Sequence, residues 1–556
     1  MTDEGAVAAG EPRWAKVVIL AIAVGGLVLR LVSLLAVGGP LASPSSYDDG
    51  VYYSASALLF RGVLPYRDFV FVHPPGLLYF YGLAWSFASA RILAAVVGAV
   101  SVVLVGRIVL RRAGAFGGIL AAVLYAVYPE AVTAERSVSL EPILNLACLA
   151  MAYVWLSDEE RPRRSVLGGI LLGAACAVKV LGGIWLLAAL ASVPRGRFRA
   201  EAWRFIGVAA VCGALLLAPL ALPNLPGFVQ QTLAFHSLRP PDGVLAPGDR
   251  LPLLMTGAGH VAASVLALLS LTGILKTLFM EGWPRITREE RFFAVATLLT
   301  VAAFLASASY WVEYNAHLAA SECVLAGLFA VSAHRLPRAS RDAVLVAVTM
   351  LVVVLQIPSF RELLAGSHAR APEQLAVGRA IREHVPAGDC VFAFDPTWTL
   401  AAGRLPPHGD GAPVVVDSYA AMLLDAVADG ARFPDAAAAF QRPLPQREVR
   451  ARLEACRYAV LGQRGNWQLN AANRDWFQAH YFCVDPREGE LCVWERMDRP
   501  FAGIALLSQG QVAFGEGWYS EERGGTESVA LDGRARERFT PTSGAVIRSY
   551  KLDVRR

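Results

Sequence analysis

Charge is scarce in this chain. Asp, Glu, Lys and Arg make up 17% of its 556 residues, where a soluble globular protein carries about a quarter. Hydrophobic residues reach 55%, and the mean hydropathy is +0.45. This deficit, with many long apolar runs, excludes an ordinary soluble domain and points to a membrane protein. No G-x-x-x-x-G-K-[ST] loop and no Rossmann fingerprint occur, which argues against an ATP-driven transport step and a dinucleotide cofactor. The eight cysteines form no C-x-x-C zinc spacing. Internal repeats and low-complexity tracts are missing too. The net charge of +5 gathers in short Arg clusters between apolar runs, which reads as membrane topology and excludes a nucleic-acid partner.

What is present is a series of apolar runs, at 17–37, 90–110, 115–133, 138–156, 165–193, 205–222, 252–275, 292–308, 315–333 and 342–358. The first is long enough to span a bilayer and stay there, so no cleavable signal peptide is expected. Basic clusters mark the cytoplasmic loops: Arg107, Arg111 and Arg112; Arg161, Arg163 and Arg164; Arg195, Arg197, Arg199 and Arg204; Lys276, Arg285, Arg288 and Arg291; Arg335, Arg338 and Arg341. The run 165–193 has such clusters at both ends. At ~1.5 Å per residue it is ~43 Å long, too long for one upright span and too short for two. A pair of short helices turning near Lys179 to Gly183 keeps both clusters on one side. The expected fold is therefore a polytopic α-helical membrane protein with about eleven crossings, a cytoplasmic N-terminus and an extracytoplasmic C-terminus.

Two domains are expected. Residues 1–360 form the transmembrane domain, with a long first outer loop, 38–89, built of short surface helices. Residues 361–556 form an extracytoplasmic α/β domain. Its pattern is an amphipathic helix over 372–386, strands at 390–394, 413–416 and 458–461, a hairpin pairing 481–484 with 490–495, and a β-rich polar end over 500–556. Cys390, Cys456, Cys483 and Cys492 lie in this domain, where an oxidising compartment allows one or two disulfides. Cys148, Cys176, Cys212 and Cys323 lie in apolar runs and read as packing residues.

The first outer loop carries the most informative residues. Tyr47-Asp48-Asp49-Gly50-Val51-Tyr52 is followed by Gly62-Val63-Leu64-Pro65-Tyr66-Arg67-Asp68-Phe69 and His73-Pro74-Pro75-Gly76. Two adjacent acids just beyond a span are costly unless solvated or used. Inverting sugar transfer needs one carboxylate to take the proton of the acceptor hydroxyl. The same acids also suit a helix start and a solvated loop. In this order the segment resembles the GT-C superfamily of membrane glycosyltransferases, which includes protein O-mannosyltransferases and the aminoarabinose transferases that modify lipid A. The resemblance spans roughly residues 15–360. It rests on Asp48-Asp49, Tyr52, Gly62, Pro65-Tyr66-Arg67-Asp68 and His73-Pro74-Pro75.

The resemblance implies a catalytic domain that takes a polyprenyl-phosphate sugar from the bilayer and inverts it onto an extracytoplasmic glycan, lipid or protein of the cell envelope. Transfer of a hexose and of a pentose both fit. Asp48 falls at the superfamily's catalytic acid. Because the chain has Asp-Asp where members often have Asp-Glu, Asp49 is the other candidate base. Glu141, after Arg136, matches a second acid that could bind acceptor, metal or a loop residue, although a helix-start acid favoured by the dipole fits as well. Lys179 matches a Gly-x-Ala-x-x-x-Lys pattern and would offset the leaving phosphate, with Arg136 or Arg239; snorkelling is its alternative. Tyr52, His73 and His236 are the other acceptor or supporting candidates. Arg30 reads equally as snorkelling or phosphate binding. Glu313, Tyr314 and His317 read as polar helix-end residues, and Asp395 and Asp417 as turn residues. No cofactor is called for, a divalent metal is compatible, and no metal ligand set is named. Gly515 to Glu521 loosely resembles a C-terminal motif of some cell-surface glycosyltransferases. A polytopic transporter or lipid-linked sugar flippase, and a non-catalytic envelope assembly factor, are the alternative functions.

Overall fold

A computed structural model describes residues 12–35, 47–157, 161–193, 198–243, 247–256, 261–282, 286–332, 371–484 and 492–496, with scattered residues of 343–357 and backbone strands between 506 and 551. Most of the expected run 342–358 lies outside the described residues, as do residues 515–517 of the Gly515 motif, whose remainder, Trp518–Glu521, is a strand. The chain divides into two units.

The first unit is helical. Its helices are α1 (Arg13–Leu35), α2 (Tyr47–Leu59), α3 (Gly76–Tyr81), α4 (Phe87–Ala126), α5 (Pro129–Ala134), α6 (Glu141–Trp155), α7 (Arg161–Val178), α8 (Gly183–Ala191), α9 (Phe198–Ala221), α10 (Leu225–Val229), α11 (Phe235–Leu238), α12 (Pro247–Thr256), α13 (Val261–Glu281), α14 (Arg288–Ala306) and α15 (Asn315–Ser332). Among the described residues, four helical stretches are long and apolar enough to cross a bilayer: 13–34, 87–126, 200–238 and 263–280. The 40-residue α4 is a hairpin. Gly114 breaks it with a left-handed φ of 74°, which glycine adopts without strain. A Cβ on Gly118 would lie 2.9 Å from the Gly106 carbonyl, so the two arms pack against each other as the separate runs 90–110 and 115–133 anticipated. The second arm stops at Ala126, earlier than expected, because Pro129 starts a new helix. The expected run 252–275 is two helices, α12 and α13.

The turn inside 165–193 is also present. Lys179 is extended (φ −152°, ψ 135°) between α7 and a short 3-10 turn. Three contacts show that the chain doubles back. Lys179 meets Glu141 at the start of α6. Arg164, near the start of α7, lies 5.8 Å from the Trp155 ring at the end of α6. Ser192, just past α8, accepts the Trp155 indole N–H at 2.9 Å. Arg111 joins the same Trp155 end, 3.7 Å from the Tyr153 ring. Glycines let these helices approach closely, as is usual between apolar helices: a Cβ on Gly173 of α7 would sit 2.6 Å from the Ala209 carbonyl of α9.

In the second unit, a sheet runs in the order 391–393, 458–460, 493–496, 481–483, 548–551 and 518–521. The first pair is parallel, and 493–496 is antiparallel to both 458–460 and 481–483. The expected hairpin is thus present, closed by a Cys483–Cys492 disulfide, and Cys390–Cys456 ties the two parallel strands. Helix Ala371–His384 packs Val377, Ile381 and Val385 with Val391, Tyr458 and Val460 in a common core. The expected strand at 413–416 is absent: Val415 and Val416 are buried, but the segment leads into the N-cap Asp417 and pairs with no strand. Asp395 and Asp417 cap helices by accepting the N–H of Thr397 and Ala420, which is turn chemistry.

Asp425 in this unit has its pKa raised to about 6, first by burial and then by Glu448. A carboxyl whose folded pKa exceeds its unfolded one costs stability once ionised. The cost is absent below the unfolded pKa near 3.8 and complete above about 6. Asp425→Asn is therefore expected to raise the unfolding temperature of this unit near neutral pH. The gain should shrink as the pH falls through the window; a gain that is the same in acid and at neutrality would refute this.

Candidate active site

Helix α2 begins at the two acids and places them differently. Asp48 is exposed and Asp49 fully buried, because adjacent helical positions point about 100° apart. The Asp49 carboxylate accepts the backbone N–H of Val138. Arg91 and Arg136 lie within electrostatic range of it, and the Arg91 Nε donates to the Arg136 carbonyl at 3.1 Å. Arg136 is itself buried, and its Nε and Nη1 meet no acceptor among the described residues.

Glu141, the first residue of α6, holds Lys179 Nζ at 3.0 Å. The ammonium also sits 4.5 Å from the Tyr314 ring centroid, and Asp48 is within its electrostatic range. Lys179 does not snorkel: its side chain is 16% exposed and is held at the break between α7 and α8. An exposed acid and an anchored cation therefore share one end of the bundle, opposite the Trp155 end.

A second group forms beside α2. The Tyr52 and His73 rings are 5.8 Å apart, and the His73 and His236 rings 5.6 Å. His236 Nε2 lies 2.7 Å from the Val72 carbonyl, to which it donates. Tyr66 holds this corner in place. It has a left-handed backbone (φ 66°), a strained state for a non-glycine residue that tends to occur at functional sites. Its carbonyl accepts from Asn224 at 2.7 Å and Gln231 at 3.2 Å, and its hydroxyl donates to the His73 carbonyl at 2.6 Å. Gln231 lies in a π-helical turn, 230–234, that leads into α11. Tyr66 was legible only as a member of a motif, since its strain has no sequence signal.

Apart from Tyr314, whose ring faces the Lys179 ammonium, the other candidates fall away from this group. Arg30 neither snorkels nor faces solvent for a phosphate. It is fully buried, pairs with Glu135 at 2.5 Å, and donates to the carbonyls of Gly26 and Ala126. Glu135, which sequence reasoning passed over, also accepts from Tyr125 at 2.6 Å. His317 has both nitrogens engaged, with Asn145 at 2.7 Å and the Trp185 indole at 3.2 Å, and is a satisfied core histidine. Glu313 and Tyr314 lie in the 3-10 turn ahead of α15. Arg239 belongs to the second unit, and no place in this group is assigned to it. Among the described residues, no three His, Cys, Asp or Glu side chains converge as a metal site would require.

Residues 72–222 match the family model of dolichyl-phosphate-mannose-protein mannosyltransferases. The match includes His73, Glu141 and Lys179 but not the Asp48-Asp49 pair. Among curated proteins, no sequence match is found. Solved structures are similar over most of the chain. ArnT from Cupriavidus metallidurans, bound to undecaprenyl phosphate, aligns at TM-score 0.55 and 14% identity, covering 86% of this chain and 97% of that one. The Archaeoglobus fulgidus oligosaccharyltransferase in its apo form aligns at TM-score 0.56 and 12% identity, covering 88% and 76%. The same organism's AglB, in complex with an inhibitory peptide and a dolichol-phosphate, aligns at TM-score 0.53 and 13% identity, covering 88% and 75%. The chain shares the fold of these proteins. At these identities the likeness concerns backbone architecture, and the site residues stand on their own geometry. In this chain α2 and the α7–α8 break meet at one end of a multi-pass membrane bundle.

Proposed function

We propose that this protein is an inverting glycosyltransferase that moves a sugar from a polyprenyl-phosphate donor to an extracytoplasmic acceptor in the cell envelope. The carrying observation is an exposed acid, Asp48, within electrostatic range of a cation anchored by Glu141, Lys179, at the end of the bundle away from Arg111 and Arg164. Positive clusters favour the cytoplasmic side, which puts the acid and the cation outside, where a lipid-linked donor presents its sugar. The two disulfides of the second unit fit an oxidising compartment. The relatives seen with undecaprenyl phosphate and with dolichol-phosphate support the donor class.

In this reading Asp48 takes the acceptor hydroxyl proton as the anomeric carbon is attacked from the face opposite the phosphate. The C1–O bond breaks, and the lipid phosphate leaves with the electron pair. Lys179 offsets the charge that collects on it. Glu141 fixes the Lys179 ammonium, Arg136 acts on Asp49 from within the fold, and Tyr52, His73 and His236 line the acceptor side.

Purified protein is expected to transfer label from a polyprenyl-phosphate sugar to envelope acceptors. Lys179→Ala should raise the donor KM more than it lowers kcat, because a charge placed on the donor phosphate is lost. A chelator arm in the same assay decides metal dependence. If no polyprenyl-phosphate hexose or pentose gives transfer while lipid-linked sugar crosses the bilayer, the flippase alternative replaces this one.

A further inference from the structure

The Trp155 end of the bundle carries a second polar cluster that the transfer reaction does not use. Helices α7, α9 and α14 begin there, and α6 ends there. The Trp155 ring has Arg164 at 5.8 Å and Arg288 at 5.2 Å from its centroid. The two guanidinium groups differ in what answers them. Arg164 Nη2 pairs with Glu201 at 2.7 Å. Arg288 has Nε and Nη2 both buried, and neither meets an acceptor among the described residues.

Those two nitrogens are informative. Nε–H and Nη2–H point the same way from one edge of the guanidinium, and that edge is the fork that takes two oxygens of a single phosphate or carboxylate. A buried charged donor left without an acceptor is costly. Among the described residues, the surrounding charges do not fill the fork. Arg164 and Arg291 repel Arg288, whereas Glu289 and Glu201 attract it only at electrostatic range. The neighbouring Glu290 is occupied with the N-cap residue, accepting from the Thr287 N–H at 2.9 Å and its hydroxyl at 2.7 Å. The first turns of α7, α9 and α14 add their partial positive charge.

We propose that Arg288, with Arg164 and the Trp155 plate, forms an anion site that binds a phosphate group through the Arg288 Nε/Nη2 edge. At the end of a membrane bundle that phosphate can come from an anionic lipid headgroup, or it can be free phosphate. The site lies away from Asp48 and Lys179 and does not depend on the activity proposed for them.

The test compares wild type, Arg288→Gln and Arg288→Lys in nanodiscs of phosphatidylcholine with and without phosphatidylglycerol. A further arm adds inorganic phosphate to protein in detergent. Native mass spectrometry reads the retained lipid, and thermal unfolding reads stabilisation. Wild type is expected to retain phosphatidylglycerol and unfold at a higher temperature with it. Loss of two charge-assisted bonds should weaken retention by about tenfold or more in Arg288→Gln. Arg288→Lys keeps the charge but not the fork and should fall between; it also serves if Arg288→Gln does not fold. If inorganic phosphate alone reproduces the shift, and Arg288→Gln abolishes it, the site stands with free phosphate as its ligand. Equal retention and stabilisation in wild type and Arg288→Gln, retention by Arg288→Lys equal to wild type, or no response of wild type to either ligand overturns the proposal.

Discussion

Asp48→Asn is expected to lower transfer from a polyprenyl-phosphate sugar by ~10²–10⁴-fold, the usual cost of losing a general base, while donor binding and yield stay near wild type. The two adjacent acids are chemically identical, and only their surroundings separate them. Asp49 is fully buried and accepts the Val138 N–H, so it is closed to an acceptor hydroxyl coming from solvent. Asp48 is one residue earlier, exposed, and within range of the Lys179 charge. Asparagine keeps the shape and loses the proton acceptor. At Asp49 the same change is expected to act differently, because an amide oxygen can still accept from Val138. Asp49→Asn should therefore cost less in rate and show part of its effect as lower stability, from the change in charge beside Arg91 and Arg136. Initial rates with thermal unfolding of both variants decide this. Near-normal turnover of Asp48→Asn with loss in Asp49→Asn swaps the roles, and near-normal turnover of both removes this helix from the active site.

Arg30→Met and Glu135→Leu, each alone, should destabilise the first unit by about 3–5 kcal/mol, because each leaves an uncompensated buried charge. Both side chains are fully buried in a 2.5 Å pair. The space around them leaves little room for rearrangement: a Cβ on Gly98 would lie 2.8 Å from Arg30 Nε. The double variant Arg30→Met/Glu135→Leu removes both charges together and should recover much of the loss, since buried pairs are often replaceable by apolar residues. Glu135 precedes Arg136 and Val138, the residues that engage Asp49, so the single variants should also lower transfer rate in whatever protein remains folded. Unfolding temperature and detergent-extracted yield are the measurements. Single variants as stable as wild type, or a double variant worse than both singles combined, would contradict the assignment of this pair as structural.

The membrane class was legible from composition, because the bilayer imposes it on every span: each helix must close its own backbone hydrogen bonds and present apolar side chains. The doubling-back of 165–193 was legible for the same reason, since Arg clusters at both ends of an over-long apolar run leave few other solutions. The helices within 47–81 and the antiparallel pairing of 481–483 with 493–496 were also readable, from aromatic and Pro-Gly content and from alternation. The strand at 413–416 misled because a short apolar run reads alike whether it pairs in a sheet or packs as a buried approach to a helix cap.

By itself, the sequence determined the solvent in which this chain folds, the ends of most apolar segments, and the loop that carries the paired acids. Each of these follows from local hydropathy, helix length and charge. Tertiary structure alone decided which acid is exposed, that Arg30 belongs to Glu135, and that Lys179 belongs to Glu141. It also decided that Arg288 keeps a buried edge that meets no acceptor among the described residues. Those outcomes depend on which side chains meet across 38, 105 or more residues of chain. A charge in an apolar run carries the same local signal whether it meets a partner, water or a ligand, and only packing distinguishes the three.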